Sequence, residues 1–198
     1  MKEYKQIIDL SLRQKINRVL KDPISIEPYN SKWPEMFKKE KEHLLACLPK
    51  NLIKRTEHYG STAVVNLAAK PIIDILVEVT SLDETKKKIA PILEAQGYDY
   101  FWRPTKGDYV KPFYAWFIKR DSQGKRIYHI HMVEKDFEIW DSLLFRDYLR
   151  EKPLIAKDYE SLKISLVQQY KSDRIKYTEG KTDFIVKITK EAKKYYSN

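Results

Sequence analysis

Apolar residues recur at Ile7, Ile8, Leu10, Leu12, Ile16, Val19 and Leu20, a spacing that predicts an amphipathic helix over residues 1–22. Asp22-Pro23 ends it, because the residue before a proline avoids the helical region. Ile24 to Ile26 reads as a short edge strand, and Pro28-Tyr29-Asn30-Ser31 as a turn and helix start. A second helix is predicted to run to about Leu48, with Trp33, Phe37, Leu44 and Leu48 on its buried side. Pro34 suits its first turn, where a missing N–H costs little, and Pro49 closes it. Residues 52–59 alternate as a strand. Residues 71–79 are almost continuously apolar, the pattern of a strand covered on both faces.

Ser81-Leu82-Asp83-Glu84 has the form of a capping box, so a helix follows, with Ile89, Ile92 and Leu93 as its core stripe and Gly97 as its stop. Tyr98 to Trp102 predicts a short aromatic strand and residues 103–111 a loop. Residues 112–120 and 126–134 predict a hairpin across Asp121-Ser122-Gln123-Gly124. From Phe137 the period becomes helical, through Trp140, Leu144 and Tyr148. Further helices are expected over 154–170 and 173–196, the last with Phe184, Ile185 and Ile188 inward. This is α+β organisation: a mixed sheet of four or five strands flanked by helices, with a helical C-terminal third. It divides into an N-terminal helical extension (1–23), an α/β core (24–134) and a C-terminal helical region (135–198).

Composition narrows the class. Of 198 residues, 42% are hydrophobic and 33% charged, the balance of a soluble globular protein. No apolar run is long enough to span a bilayer, and the charged N-terminus lacks the apolar core of a secretory signal. With a single cysteine, Cys47, no internal disulfide can form, and a cytoplasmic location is the default expectation. A formal charge of +10 favours an anionic partner. The lysines are interleaved with Asp and Glu along the whole chain, however, which reads for most of them as solvated surface.

Some polar groups are expensive to place. Gly60 allows a positive φ and a close backbone approach, so the amides of Ser61 and Thr62 could face an anion; the dipeptide alone reads more simply as an ordinary tight turn. Asp74 is a carboxylate in an apolar strand, where an unpaired charge would cost several kcal/mol. Glu78 lies about 13 Å further along at ~3.3 Å per residue, too far to share a metal with it. His129 and His131, two apart on a strand, share a face and have metal-ligand spacing. If their strand neighbours that of Asp74, two imidazoles and a carboxylate meet, and His58 could join them. Residues 100–128 mix aromatics with cations, a composition that also suits nucleic acid, although alternation explains many of the rings as core. Lys106 and Tyr109 are least explained that way. Cys47, near Leu44 and Leu48, reads as helix packing.

At this point several stretches are recognisable: Pro28-Tyr29 with Trp33-Pro34, Glu57 to Val64, Ala69 to Ile75, His129 to Glu134, Phe145 to Leu149, and Tyr177 to Lys181. From about Ile24 to Ile188 the chain resembles the GrpB family, a branch of the nucleotidyltransferase superfamily; residues 1–22 fall outside the match. The resemblance implies a nucleotidyltransferase fold in which a Gly-Ser turn holds nucleotide phosphates. Two carboxylates two residues apart on the next strand, and a third on a later one, would bind two divalent metals. Gly60, Ser61 and Asp74 fit that pattern. Leu76 stands at the second carboxylate position, and imidazoles stand where the third would fall. The family is also named as a possible protein-folding accessory domain, because it occurs fused to dephospho-coenzyme A kinase.

Three functional expectations follow. The first is a metal-dependent nucleotidyltransferase acting on a nucleotide or other small phosphorylated ligand. Gly60, Ser61, Thr62, Lys70, Lys106 and Arg146 would serve phosphate or acceptor contacts. Asp74 would be catalytic and would bind a divalent metal (magnesium, manganese or zinc) with His129, His131 and His58. The second is a non-catalytic accessory module that keeps the fold. The third, less favoured, is nucleic-acid binding through residues 100–128. A membrane partner is not expected.

Overall fold

The computed structural model describes residues 12–106 and 110–197. Five strands form one mixed sheet in the order β1-β2-β5-β4-β3: β1 Ile53–Tyr59, β2 Ile73–Val79, β3 Asp99–Lys106, β4 Val110–Arg120 and β5 Arg126–Val133. Only β2 and β5 run parallel; the other pairs are antiparallel. The central strands are the most apolar, and Ile73, Ile75, Leu76, Ile130 and Met132 are fully buried. Side chains alternate across a strand, so pairing partners share a face. One face carries His58, Ile75, Ile130, Phe117 and Lys119; the other carries Tyr59, Asp74, His129, His131 and Trp116.

Helix α2 (Trp33–Cys47) lies on the first face. Phe37 stacks on His58, and the Tyr128 hydroxyl donates to the Met36 carbonyl at 3.1 Å. Glu40, inconspicuous in the sequence, is buried there between the Tyr98 hydroxyl and the Lys119 ammonium. Four helices, α5 (Asp141–Glu151), α6 (Pro153–Gln169), α7 (Arg174–Glu179) and α8 (Thr182–Tyr196), make up the C-terminal third. Their own core joins Phe145, Leu149, Tyr159 and Ile188 to Val64 and Leu67, which follow β1.

Several sequence expectations need correction. Ile24–Ile26 forms no strand; a single bridge joins Glu27 to Ala69. The helix after Ser81 is capped as expected, the Ser81 hydroxyl accepting from the Glu84 amide. It then runs as α3 (Leu82–Glu84), a π turn (Thr85–Ile89) and α4 (Ala90–Glu94). Pro91 has no N–H for the carbonyl four residues back, and the π turn absorbs that defect. Residues 103–106 extend β3 instead of forming a loop. Pro104 is tolerated because β3 is the sheet's edge, where a missing donor breaks no ladder. The helix expected over 173–196 is two helices parting at Gly180-Lys181. A Cβ at Gly180 would overlap Leu166, so this position packs too closely for a side chain.

Of the N-terminal helix, α1 (Leu12–Lys21) is described, and the remainder of the expected 1–22 helix lies outside the described residues. It is tied down by charge. Lys15 pairs with Glu94 at 2.8 Å. Asp22, just past its end, takes both Arg120 nitrogens at 2.9 Å and also accepts from Arg126.

Candidate functional site

The parallel register sets Asp74 beside His129 and Leu76 beside His131. It fulfils the condition on which the sequence made a site depend. His129 Nδ1 and Asp74 Oδ1 are 3.0 Å apart, and one ligand atom from each of Asp74, His129 and His131 falls within 4.8 Å of the others. The Asp74 side chain keeps 28% exposure, so solvent reaches the group. Tyr59, Tyr114 and Trp116 wall it: Tyr59 meets His131 edge-on, Trp116 lies against both imidazoles, and His131 Nδ1 is 3.2 Å from the Tyr114 hydroxyl. The Arg103 guanidinium lies over Trp116 at 4.8 Å.

Gly60 closes the site from β1. It holds φ 72°, ψ −174°, a region open essentially to glycine, and a Cβ there would overlap the Asp74 carboxylate. The Gly60-Ser61 backbone therefore lies directly against Asp74. Ser61 opens a 3-10 turn (Ser61–Ala63), and its hydroxyl is hydrogen-bonded to Tyr159 of α6. The Thr62 hydroxyl faces inward, to His58 and the Ile72 carbonyl, so only its backbone remains a candidate for ligand contact.

Hydrogen-bond logic assigns the His129 tautomer. Arg126 Nη1 lies 3.4 Å from His129 Nε2, and a guanidinium only donates. Nε2 is therefore the acceptor, and Nδ1 carries the proton given to Asp74. Burial, aided by Lys70 and Arg126 and opposed by Asp74, lowers His129 to about 4, and burial lowers His131 to about 3. Both rings are neutral at pH 7. Burial alone would raise the Asp74 carboxyl, but the His129 hydrogen bond, the imidazoles and Lys70 outweigh it and hold the group ionised. Two-bond proton–nitrogen NMR correlations of metal-free protein should thus show His129 protonated at Nδ1 and bare at Nε2; a proton on Nε2 would contradict the Arg126 contact.

The sequence-derived candidates divide in this structure. Gly60, Ser61, Asp74, His129 and His131 come together. His58 does not join them. The register Tyr59↔Asp74 puts His58 opposite Ile75, on the α2 face, where burial lowers it to about 4. Arg146 is occupied, donating to Glu57, both Asp147 oxygens and the His58 carbonyl. It joins α5 to β1 instead of facing the cleft. The Lys106 side chain and Tyr109 lie outside the described residues. Lys70 stays close enough to Asp74 to lower its carboxyl, with its ammonium 5.2 Å from the Tyr177 ring.

Lys181 was not singled out from the sequence as a site residue, although it ends one of the recognisable stretches. Its ammonium also lies near the Tyr177 ring, at 4.7 Å. Burial lowers it to about 8 against the pull of Asp74. Tyr159 was also missed, because it arrives from an element remote in sequence; Arg126, three residues before His129 on β5, was counted only among the cations of residues 100–128.

The donor set fits one divalent ion better than two. One carboxylate and two imidazoles suit a borderline transition ion such as zinc better than a hard ion such as magnesium. A pair of magnesium ions would need a second carboxylate, and Leu76 at that position is fully buried. Ligation by His129 Nδ1 requires the ring to take its other tautomer, with the proton moved to Nε2 and the Arg126 Nη1 contact given up.

Comparison with known proteins places this geometry in context. Residues 23–191 match the family model described as GrpB protein. The chain is 38% identical over 176 residues to UPF0157 protein YqkA of Bacillus subtilis, covering 88% of this chain but 49% of that protein. It is 35% identical over 174 residues to Glutamate-rich protein GrpB of Alkalihalophilus pseudofirmus, covering 87% and 98%. The chain thus spans about half the length of the first relative and nearly all of the second. The crystal structure of conserved protein GrpB from Enterococcus faecalis superposes with a TM-score of 0.76 at 38% identity, covering 88% of this chain and all of that one. Among the described residues no helix is long and apolar enough to cross a membrane.

Proposed function

Since the chain belongs to the GrpB family, we propose that it is a nucleotidyltransferase-like protein that binds a nucleotide at the face of β2 and β5, with one divalent metal ion. The observation that carries this reading is the placement of the Gly60 backbone directly against Asp74, which is itself clustered with the imidazoles of His129 and His131. Backbone amides at a glycine turn suit phosphate oxygens, and Lys181 adds a cation on the same side. Asp74, His129 and His131 would hold the ion. When bound, it would supply charge stabilisation at a phosphoryl oxygen.

The protein's own groups have separable roles. Asp74 is held ionised, and Arg126 fixes the ring of its partner His129. Tyr159 holds Ser61, and Tyr59, Tyr114 and Trp116 keep bulk water from one side of the cluster. The nucleotide would be bound by its phosphates. Nucleotidyl transfer to a small acceptor is the reaction class that this arrangement suits.

A thermal-shift titration with manganese, zinc and magnesium, each with and without a nucleoside triphosphate, tests the reading. Ligand at about 100 times its Kd stabilises by ~2.7 kcal/mol, which for a chain of this size raises Tm by roughly 5–10 °C. The expected result is a rise with manganese or zinc, enlarged by one nucleotide, and no rise in Asp74→Asn. The same rise in wild type and variant would refute the assignment of Asp74. Leu76 favours the second reading, an accessory module without chemistry. No rise with any metal or nucleotide would select it.

A further inference from the structure

Beside the cluster, and lined by none of its three residues, is a cavity of about 720 Å³ between the stretch after α1, the turn joining β4 to β5, and the start of α7. Its floor is apolar, through Trp33, Met36 and Ile127, while Lys70, Arg126 and Arg174 stand on its walls. The charge balance there is unusual. Lys70 is pushed well below its ordinary range by burial first, then by Lys181, Arg174 and Arg126; the carboxylate opposing this is Asp74, which is engaged by His129.

Burial also lowers Arg174 and Arg120 adds to it, while Asp22 and Tyr177 pull the other way. Its Nη2 donates to the Pro23 carbonyl at 3.3 Å, but its buried Nε has no acceptor among the described residues. The Lys70 ammonium has the Tyr177 ring and, among the described residues, no hydrogen-bonding oxygen. The nearby acids are engaged or lie apart. Asp22 is held by Arg120 and Arg126, and Asp121 accepts from the amides of its own turn. Glu27 also lines the cavity, but its charge is not among the main influences on Lys70 or Arg174.

Gathering cations out of water without an anion is costly, and an unpaired buried donor adds to that cost. Both costs vanish if an oxyanion completes the site. A guanidinium fork and an ammonium converging on one cavity match a tetrahedral phosphoryl group, which offers several acceptor oxygens and about two negative charges. We propose that this cavity is a phosphoryl-anion site in which Arg174 and Lys70 are the direct ligands and Arg126 supplies field from the opposite wall. The site uses none of the three candidate metal ligands and shares only Lys70 with the phosphate contacts named for the nucleotide reading.

The test is calorimetric titration of the full chain, free of divalent metal, with inorganic phosphate and separately with ribose 5-phosphate, against sodium chloride at equal ionic strength. Saturable phosphate binding is expected, weakened at least tenfold in Arg174→Gln and in Lys70→Gln. Tighter binding of the sugar phosphate would mean that the group arrives on a small molecule; equal affinity would mean free phosphate. No saturable binding beyond that of chloride, or wild-type affinity in Arg174→Gln, would overturn the proposal. Arg174 begins a short helix and has a single carbonyl contact, so its variant should fold.

Discussion

Replacing Gly60 by alanine should destabilise the protein by about 2–6 kcal/mol and abolish whatever binds at Asp74. Two costs combine. A non-glycine residue in this region of φ and ψ costs of order 1–3 kcal/mol. The new methyl would also overlap the Asp74 carboxylate, and overpacking typically costs ~1–3 kcal/mol more. The carboxylate has little room to yield, being tied to His129 on β5. Relief must therefore come by breaking that hydrogen bond or by moving the Ser61 turn away from β2. Urea melts of wild type and variant would measure the loss, and the NMR signature of the His129 tautomer would report the broken pair. A change below 1 kcal/mol with the tautomer unchanged would show that Asp74 and Gly60 are not packed together as described.

Leu76→Asp carries the second large effect. Leu76 is fully buried, lies on the Asp74 face, and has Glu57 beside it on one strand and His131 on the other. A carboxylate there would be desolvated and set near two existing acids, and a buried charge without a partner costs about 3–5 kcal/mol. Both influences raise the new carboxyl's pKa. A group whose folded-state pKa is raised loses stability as pH rises through the unfolded value, because the folded state must hold it either protonated or unpaired. The deficit should therefore be larger at pH 8 than at pH 5. The same substitution completes the pair of carboxylates that two magnesium ions require, so millimolar magnesium should return part of the lost stability to the variant and none to wild type. A melt insensitive to magnesium would show that the cleft cannot accept a second ion, and that Leu76 reflects a site without two-metal chemistry.

The parts of the site that were legible in the sequence are those that local pattern exposes. Asp74 interrupts an apolar strand, His129 and His131 are separated by the period of a strand, and Gly60 stands where a strand must turn. Each is visible because its cost or its spacing is a property of a few adjacent residues. His58 shows the limit of such reasoning. It is adjacent to the glycine turn and one residue from Tyr59, but a one-residue change of register exchanges the two faces of a sheet. Pairing of Tyr59 with Asp74 therefore sends His58 to α2. Arg146 shows another limit. Its charge suggested phosphate, and only the approach of α5 to β1 revealed Glu57 and the His58 carbonyl as its partners.

Sequence alone determined the α+β class, most helices and strands, the hairpin at Asp121–Gly124 and the identity of the acidic and imidazole groups, because periodicity, turn residues and burial cost act over short distances. Tertiary structure decided that β2 and β5 are parallel neighbours, that Asp74 meets His129 and not His58, and that Pro104 lies in an edge strand. It also decided that Lys70, Lys181, Arg126 and Arg174 converge from four separate segments. Strand order, register and the meeting of distant charges depend on contacts between residues far apart in the chain, and the free energies of those contacts are not written in any one stretch of it.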